Sequence, residues 1–152
     1  MPKFSVVDER LIDAPSIEVF NAVLDEYSGV THLWMPHFEF HPRANNPMNE
    51  AGTICDSVSH SHGMPAKLVK TETRVELGRA LDFELSGSFT GTEKWTFEPT
   101  EDGKTKVQIA WKGASNSLAV RVFGRFPKVE KWLHESRNRF LIDLEKSINK
   151  KL

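Results

Sequence analysis

The chain has 152 residues, 39% hydrophobic and 27% charged, with a formal net charge of −1 at pH 7. That length suits one domain, residues 1–152, able to bury a sizeable core. The near-neutral charge argues against a nucleic-acid surface, which shows as a clear basic excess. The terminal cluster Lys146, Lys150 and Lys151 sits where cations complement a helix C-terminus. Cys55 is the only cysteine, so no intramolecular disulfide forms. Met1-Pro2-Lys3-Phe4-Ser5 has no apolar signal core, and no stretch approaches the roughly 18 apolar residues of a membrane span. The expectation is a cytoplasmic protein, monomer or homodimer, with no nucleic-acid partner and no integral membrane segment.

Phe4–Leu11 reads as a first strand, rich in Val and Phe. Asp13-Ala14-Pro15 then starts a helix, with Asp13 or Ala14 as the cap and Pro15 in the first helical position. Val19, Phe20, Val23, Leu24 and Tyr27 give that helix one buried face, and Gly29 ends it. A short helical turn over Thr31–Met35 stops at Pro36. Strands follow at Phe38–Pro42, Thr53–His60, Ala66–Glu76, Ala80–Leu85, Phe89–Phe97 and Thr105–Lys112, the last after the hairpin signal Glu101-Asp102-Gly103-Lys104. Pro127–Asn149 is one long amphipathic helix with Val129, Trp132, Leu133, Phe140, Leu144 and Ile148 on its apolar stripe. The stripe breaks at Ser136 and Arg137. Tight turns make the sheet antiparallel. The expected fold is α+β: a curved six- to seven-stranded sheet wrapped around the long C-terminal helix, with two short helices after the first strand.

Several local strings, in their order, resemble the START-like superfamily, which includes Bet v 1-type proteins and the bacterial polyketide cyclase/dehydrase group. They are Ile12-Asp13-Ala14-Pro15 with Val19-Phe20, Trp34-Met35-Pro36 before Phe38, and Ala51-Gly52-Thr53. Ser88-Phe89-Thr90-Gly91, Trp95-Thr96-Phe97-Glu98-Pro99 and Gly103-Lys104-Thr105-Lys106-Val107 complete the set. The resemblance spans nearly the whole chain. It implies a helix-grip fold with an internal cavity between sheet and C-terminal helix for lipids, polyketides, hormones or other apolar ligands. The glycine-rich loop of plant Bet v 1 proteins is missing, since Arg43–Gly52 and Ser61–Pro65 occupy its place. The chain therefore stands nearer the bacterial cyclase-like branch. Fold membership alone does not establish an activity.

Phe89, Gly91, Glu93, Trp95 and Phe97 share one face of their strand, which should point inward. A carboxylate at Glu93 among aromatics is costly without a partner, and its pKa is expected to rise, which suits general acid–base work. The plainer alternative pairs it with a strand neighbour such as Arg74 or Arg79. Arg137 is either the partner of Glu93, an anchor for an anionic ligand head, or an exposed side chain beside a Glu135–Arg139 ion pair. On a helical wheel Ser136 falls at the centre of the apolar face and Arg137 on its flank. Catalytic candidates are thus Glu93 and Arg137. The ligand-contacting set is Trp34, Phe83, Phe89, Glu93, Trp95, Ile109, Trp111, Trp132, Leu133, Ser136, Arg137 and Phe140.

His60 and His62 share a strand face and His32, His37 and His41 cluster around Trp34-Met35-Pro36, but no helical His-x3-His or paired-cysteine motif appears, so no metal site is expected. No cofactor is expected either. Cys55 reads as a buried apolar thiol. Three functions compete. The first is a binding or carrier protein for a small hydrophobic or aromatic molecule such as a lipid, polyketide or isoprenoid quinone. The second is an aromatase/cyclase/dehydratase-type enzyme using the same interior, with orientation supplying most of the rate. The third is a protein-interaction module with a filled core.

Overall fold

A computed structural model describes residues 3–31, 33–34, 38–43, 50–59, 66–115 and 126–150, without the side chains at 115, 126–130, 132 and 150. The strands are β1 (Lys3–Ile12), β2 (Phe38–Pro42), β3 (Ile54–Ser59), β4 (Ala66–Glu76), β5 (Ala80–Gly87), β6 (Phe89–Pro99) and β7 (Thr105–Ser115). The helices are α1 (Ser16–Tyr27) and α2 (Phe126–Lys150). The strands form one antiparallel seven-stranded sheet in the order β1-β7-β6-β5-β4-β3-β2. This is the expected α+β helix-grip arrangement, in which the curved sheet holds the C-terminal helix. Of the second short helix expected after β1, Leu33 and Trp34 form a turn, and Met35 lies outside the described residues.

The helix ends follow local chemistry. Pro15 is the N-cap of α1, with φ −61° and ψ 148°, and the first helical residue is Ser16. The expectation of Pro15 at the first helical position is therefore corrected by one residue. Its extended ψ keeps it outside the helix, while its carbonyl accepts from Glu18 and Val19. At the other end Gly29 has φ 75° and donates to the Glu26 carbonyl, while Val30 donates to that of Asp25. These two bonds make a Schellman turn, which needs the left-handed conformation that glycine adopts freely.

Among the side chains described along α2 the buried ones are Leu133, Arg137, Phe140, Leu141, Leu144 and Ile148. Ser136 is only half-buried. The wheel reading is thus corrected: the inward line runs through Arg137, rotated toward it by the way α2 lies along β1. Two polar contacts hold that position. His134 Nδ1 lies 2.9 Å from Asp8 Oδ1, and Arg10 Nη2 donates to Glu145 Oε1 at 2.9 Å.

The inward face of β4 holds Leu68, Lys70 and Glu72. The register then shifts between Glu72 and Arg74, where two β4 residues oppose one on β5. Such a bulge reverses the parity of the strand residues beyond it. Val75 consequently turns inward and packs on the core beside its partner Leu81.

Gly91 and Gly113 sit opposite each other on β6 and β7. A Cβ on Gly113 would lie 2.2 Å from the Thr90 carbonyl oxygen, and one on Gly91 would lie 2.0 Å from that of Lys112. The backbones approach too closely here for any side chain. Gly113→Ala should therefore cost about 1–3 kcal/mol by overpacking. Urea unfolding would show it as a lower midpoint at unchanged slope. A wild-type midpoint would mean that the strands do not approach this closely.

Candidate functional site

The inward face between the sheet and α2 is built from aromatic rings around a few polar groups. One row of the register crosses it: Glu72 on β4, Phe83 on β5, Glu93 on β6 and Trp111 on β7. All four side chains are buried. The next row brings Trp95 beside Leu81 and Ile109.

Glu93 is fully buried and fully engaged. Tyr27 Oη donates to its Oε2 at 2.7 Å, and Lys70 Nζ donates to Oε1 at 3.2 Å and Oε2 at 3.4 Å. Trp111 Nε1 also donates to Oε1. Arg137 Nη1 stands 3.6 Å from Oε1 as a second cation. Trp95 Nε1 completes the network by donating to Tyr27 Oη at 3.3 Å. Burial alone pushes the Glu93 carboxyl up. Lys70, Arg137 and the Tyr27 and Trp111 donors outweigh it and hold the group below the ordinary carboxylate value. The expectation of a raised carboxyl is thereby corrected, because the carboxylate has acquired charged and hydrogen-bonding partners.

Burial, reinforced by the neighbouring Glu93 charge, keeps the Tyr27 phenol well above its usual value and so protonated. Lys70 is pulled down by burial and by Arg137, with Glu93 opposing. The partners of Glu93 are not Arg74 and Arg79, whose side chains are exposed; Arg74 pairs with Glu76. Of the neighbours considered from sequence, only Arg137 reaches it.

Arg137 is 3% exposed. Its guanidinium carbon lies 3.8 Å from the centre of a Trp111 ring and 4.5 Å from that of Phe140. Neither Nε nor Nη1 makes a hydrogen bond among the described residues. Burial lowers its pKa, and the nearby Glu93 charge opposes that effect. The expected Glu135–Arg139 surface pair does not describe Arg137, and Arg139 reaches Asp143 at 3.9 Å.

Trp34 belongs to the same wall. Its ring stands 4.3 Å from Phe140 and 5.7 Å from Phe40, and it stacks on Trp95 at 6.2 Å. The short turn that carries it is held by buried Glu26, whose carboxylate accepts from the Leu33 and Trp34 amides at 2.8 and 3.2 Å. Trp34 Nε1 then donates to the Phe140 carbonyl of α2 at 3.2 Å.

The structure brings Trp34, Phe83, Glu93, Trp95, Ile109, Trp111, Leu133, Arg137 and Phe140 into one buried layer. Phe89 is half-buried at its edge, edge-on to Phe4 at 5.5 Å. Ser136 is half-buried on α2, and the Trp132 side chain lies outside the described residues. Sequence reasoning missed Tyr27, Lys70, Glu26 and Glu72. A lysine and a glutamate two apart in Lys70-Thr71-Glu72 have the spacing of one strand face, which was the available signal. Charged residues there read by default as a solvated face.

Glu72 presents the opposite case to Glu93. It is 1% exposed, and neither carboxylate oxygen has a hydrogen-bond partner among the described residues. Burial pushes its pKa up to about 8. Cys55 is buried, as expected, and burial pushes its thiol up to about 11. Among the described residues no three His, Cys, Asp or Glu side chains converge on a point that could hold a metal. His32, His37, His60 and His62 lie outside them.

A curved antiparallel sheet gripping a C-terminal helix over an aromatic interior defines the helix-grip class of START and Bet v 1-type proteins. The family model for polyketide cyclase / dehydrase and lipid transport matches residues 3–148, and the chain belongs to that family. Three solved structures illustrate the shared fold. TTHA0849 from Thermus thermophilus is 20% identical with a TM-score of 0.79, over 97% of this chain and 99% of that one. A START superfamily protein from Mycobacterium smegmatis is 13% identical with a TM-score of 0.76, over 97% and 99%. Ara h 8.0201, of the Bet v 1-like type, is 13% identical with a TM-score of 0.71, again over 97% and 99%. At these identities the likeness is one of fold. No curated protein matches the sequence. Among the described residues no helix is long and apolar enough to cross a membrane.

Two stability measurements test the contrast between the glutamates. The folded pKa of Glu72 lies above its ordinary 4.5, so its contribution is fully present below about pH 4.5 and is lost as pH rises through about 8. Glu72→Gln should remove that slope, leaving the variant more stable than wild type at pH 8 by on the order of several kcal/mol. Urea midpoints at both ends of the window check this, and parallel pH profiles would refute it. For the engaged carboxylate, Lys70→Met alone should cost about 3–5 kcal/mol by leaving Glu93 short of its nearest cation. Adding Glu93→Gln should recover part of that loss, a coupling that a double-mutant cycle measures.

Proposed function

We propose that this protein binds and carries a small hydrophobic or aromatic molecule of lipid, polyketide or isoprenoid type in its interior between the sheet and α2. One observation carries the reading. The buried aromatic layer contains a guanidinium, on Arg137, with two nitrogens whose N–H groups find no acceptor among the described residues. Protein interiors rarely leave such donors unmet, and binding sites combine apolar walls with a few convergent polar groups. Family membership agrees with this reading, and Trp34, Trp95, Trp111 and Phe140 would form the walls.

A cyclase or dehydratase role would use the same interior and would ask Glu93 or Arg137 to move protons. The state of Glu93 favours carriage over conversion. Its oxygens already accept from Tyr27, Lys70 and Trp111, and its depressed pKa makes it a weak base.

Because Trp34, Trp95 and Trp111 are buried around the proposed site, a bound aromatic or polyene ligand should quench the intrinsic fluorescence. The same ligand should displace a neutral fluorescent probe, and native mass spectrometry should show one molecule bound. A panel of fatty acids, polyketide mimics and quinones that neither quenches nor displaces would remove this reading. Turnover of a surrogate poly-β-keto substrate, lost in Glu93→Gln, would instead favour the enzyme.

A further inference from the structure

Among the described residues the cluster around Glu93 holds two buried cations, with the one carboxylate between them. Lys70 takes both carboxylate oxygens, whereas Arg137 stays at 3.6 Å, beyond hydrogen-bonding distance. Oε1 already accepts from Trp111 as well as Lys70, so no vacant place on it faces the guanidinium. Asp8 is the other carboxylate whose charge reaches Arg137. Its Oδ1 is turned to His134, and its buried Oδ2 has no hydrogen-bond partner among the described residues either, so the two groups do not meet. Arg137 is 3% exposed, with Nε and Nη1 buried and unbonded among the described residues. Its guanidinium carbon lies against the Trp111 and Phe140 rings. It stands at the break in the apolar stripe of α2, flanked by Leu133 and Phe140.

We propose that the ligand of this interior is an organic monoacid: an apolar, preferably aromatic body whose carboxylate accepts hydrogen bonds from Arg137. The inference rests on the reading of the protein as a hydrophobic-ligand carrier and adds the ligand's charge to it. A neutral carbonyl would meet an N–H group but leave the second cation of the cluster with only its 3.6 Å share of Glu93. A single negative charge meets both needs, and the charge-assisted bond is the stronger one. A dianionic phosphate would bring a second charge for which the cluster offers no further cation, since Lys70 is taken up by both oxygens of Glu93.

The test uses the whole protein, N-phenylnaphthylamine as a neutral reporter, and naphthoic acid against its primary alcohol, naphthalenemethanol, as competitors. Wild type should bind the acid roughly ten- to a hundredfold more tightly than the alcohol. In Arg137→Met the ratio of the two affinities should fall to about one, whatever happens to each, and Arg137→Lys should keep part of the preference. Reporter binding with equal displacement, displacement by the alcohol alone, or displacement by neither would overturn the acid assignment while leaving hydrophobic binding in place. No reporter binding and no displacement at all would overturn both. Should Arg137→Met fail to fold, the labelled carboxyl carbon of naphthoic acid bound to wild type decides the matter by NMR titration. A pKa below that of the free acid supports the salt link, and a raised one, as burial without a cation gives, refutes it.

Discussion

Glu93 is an ionised carboxylate where no water reaches, and the groups that keep it ionised come from separate parts of the chain. Tyr27 ends α1, Lys70 lies on β4, Trp111 on β7 and Arg137 on α2. Taking a carboxylate and an ammonium out of water costs several kcal/mol per ion, recovered only when geometry and hydrogen bonds are complete. The network therefore demands that both helices and the middle of the sheet sit in one arrangement. A shift of α2 along β1 would take Arg137 from Glu93 and break the Asp8–His134 and Arg10–Glu145 contacts at the same time.

Glu72 shows what the interior does to a carboxyl without that company. It lies in the same row of the register, with Phe83 between the two. Both glutamates are out of contact with solvent, yet burial wins at Glu72 and the partners win at Glu93. Depth is thus a poor guide to charge in this sheet. The count of donors around each oxygen decides it.

The aromatic wall is also held by polar means. Glu26 grips the amides of Leu33 and Trp34, and the Trp34 indole reaches the backbone of α2. This makes the Trp34 turn a strut between α1 and the gripped helix, and it fixes the ring against Phe140 and Trp95. A wall so fastened is the kind of preorganised surface that lowers the ordering cost of the binding proposed for it.

The local patterns of the sequence determined the seven strands, the helix after β1, the long C-terminal helix and the inward face of β6, because turn residues and side-chain periodicity act over a few neighbours. They also picked out Glu93 and Arg137 as polar residues on faces that ought to be apolar. Tertiary structure alone decided which groups answer them. Lys70 and Tyr27 lie 23 and 66 residues from Glu93 in the chain, and no local pattern announces such a meeting. The bulge after Glu72 and the rotation of α2 toward Arg137 were likewise hidden, because register and helix rotation are set by how whole elements pack. The sequence thus specified the elements and, at Glu93 and Arg137, two of their polar exceptions. Packing decided that Glu93 is fully bonded, that Arg137 keeps two nitrogens without an acceptor among the described residues, and that Glu72 is buried without a partner there.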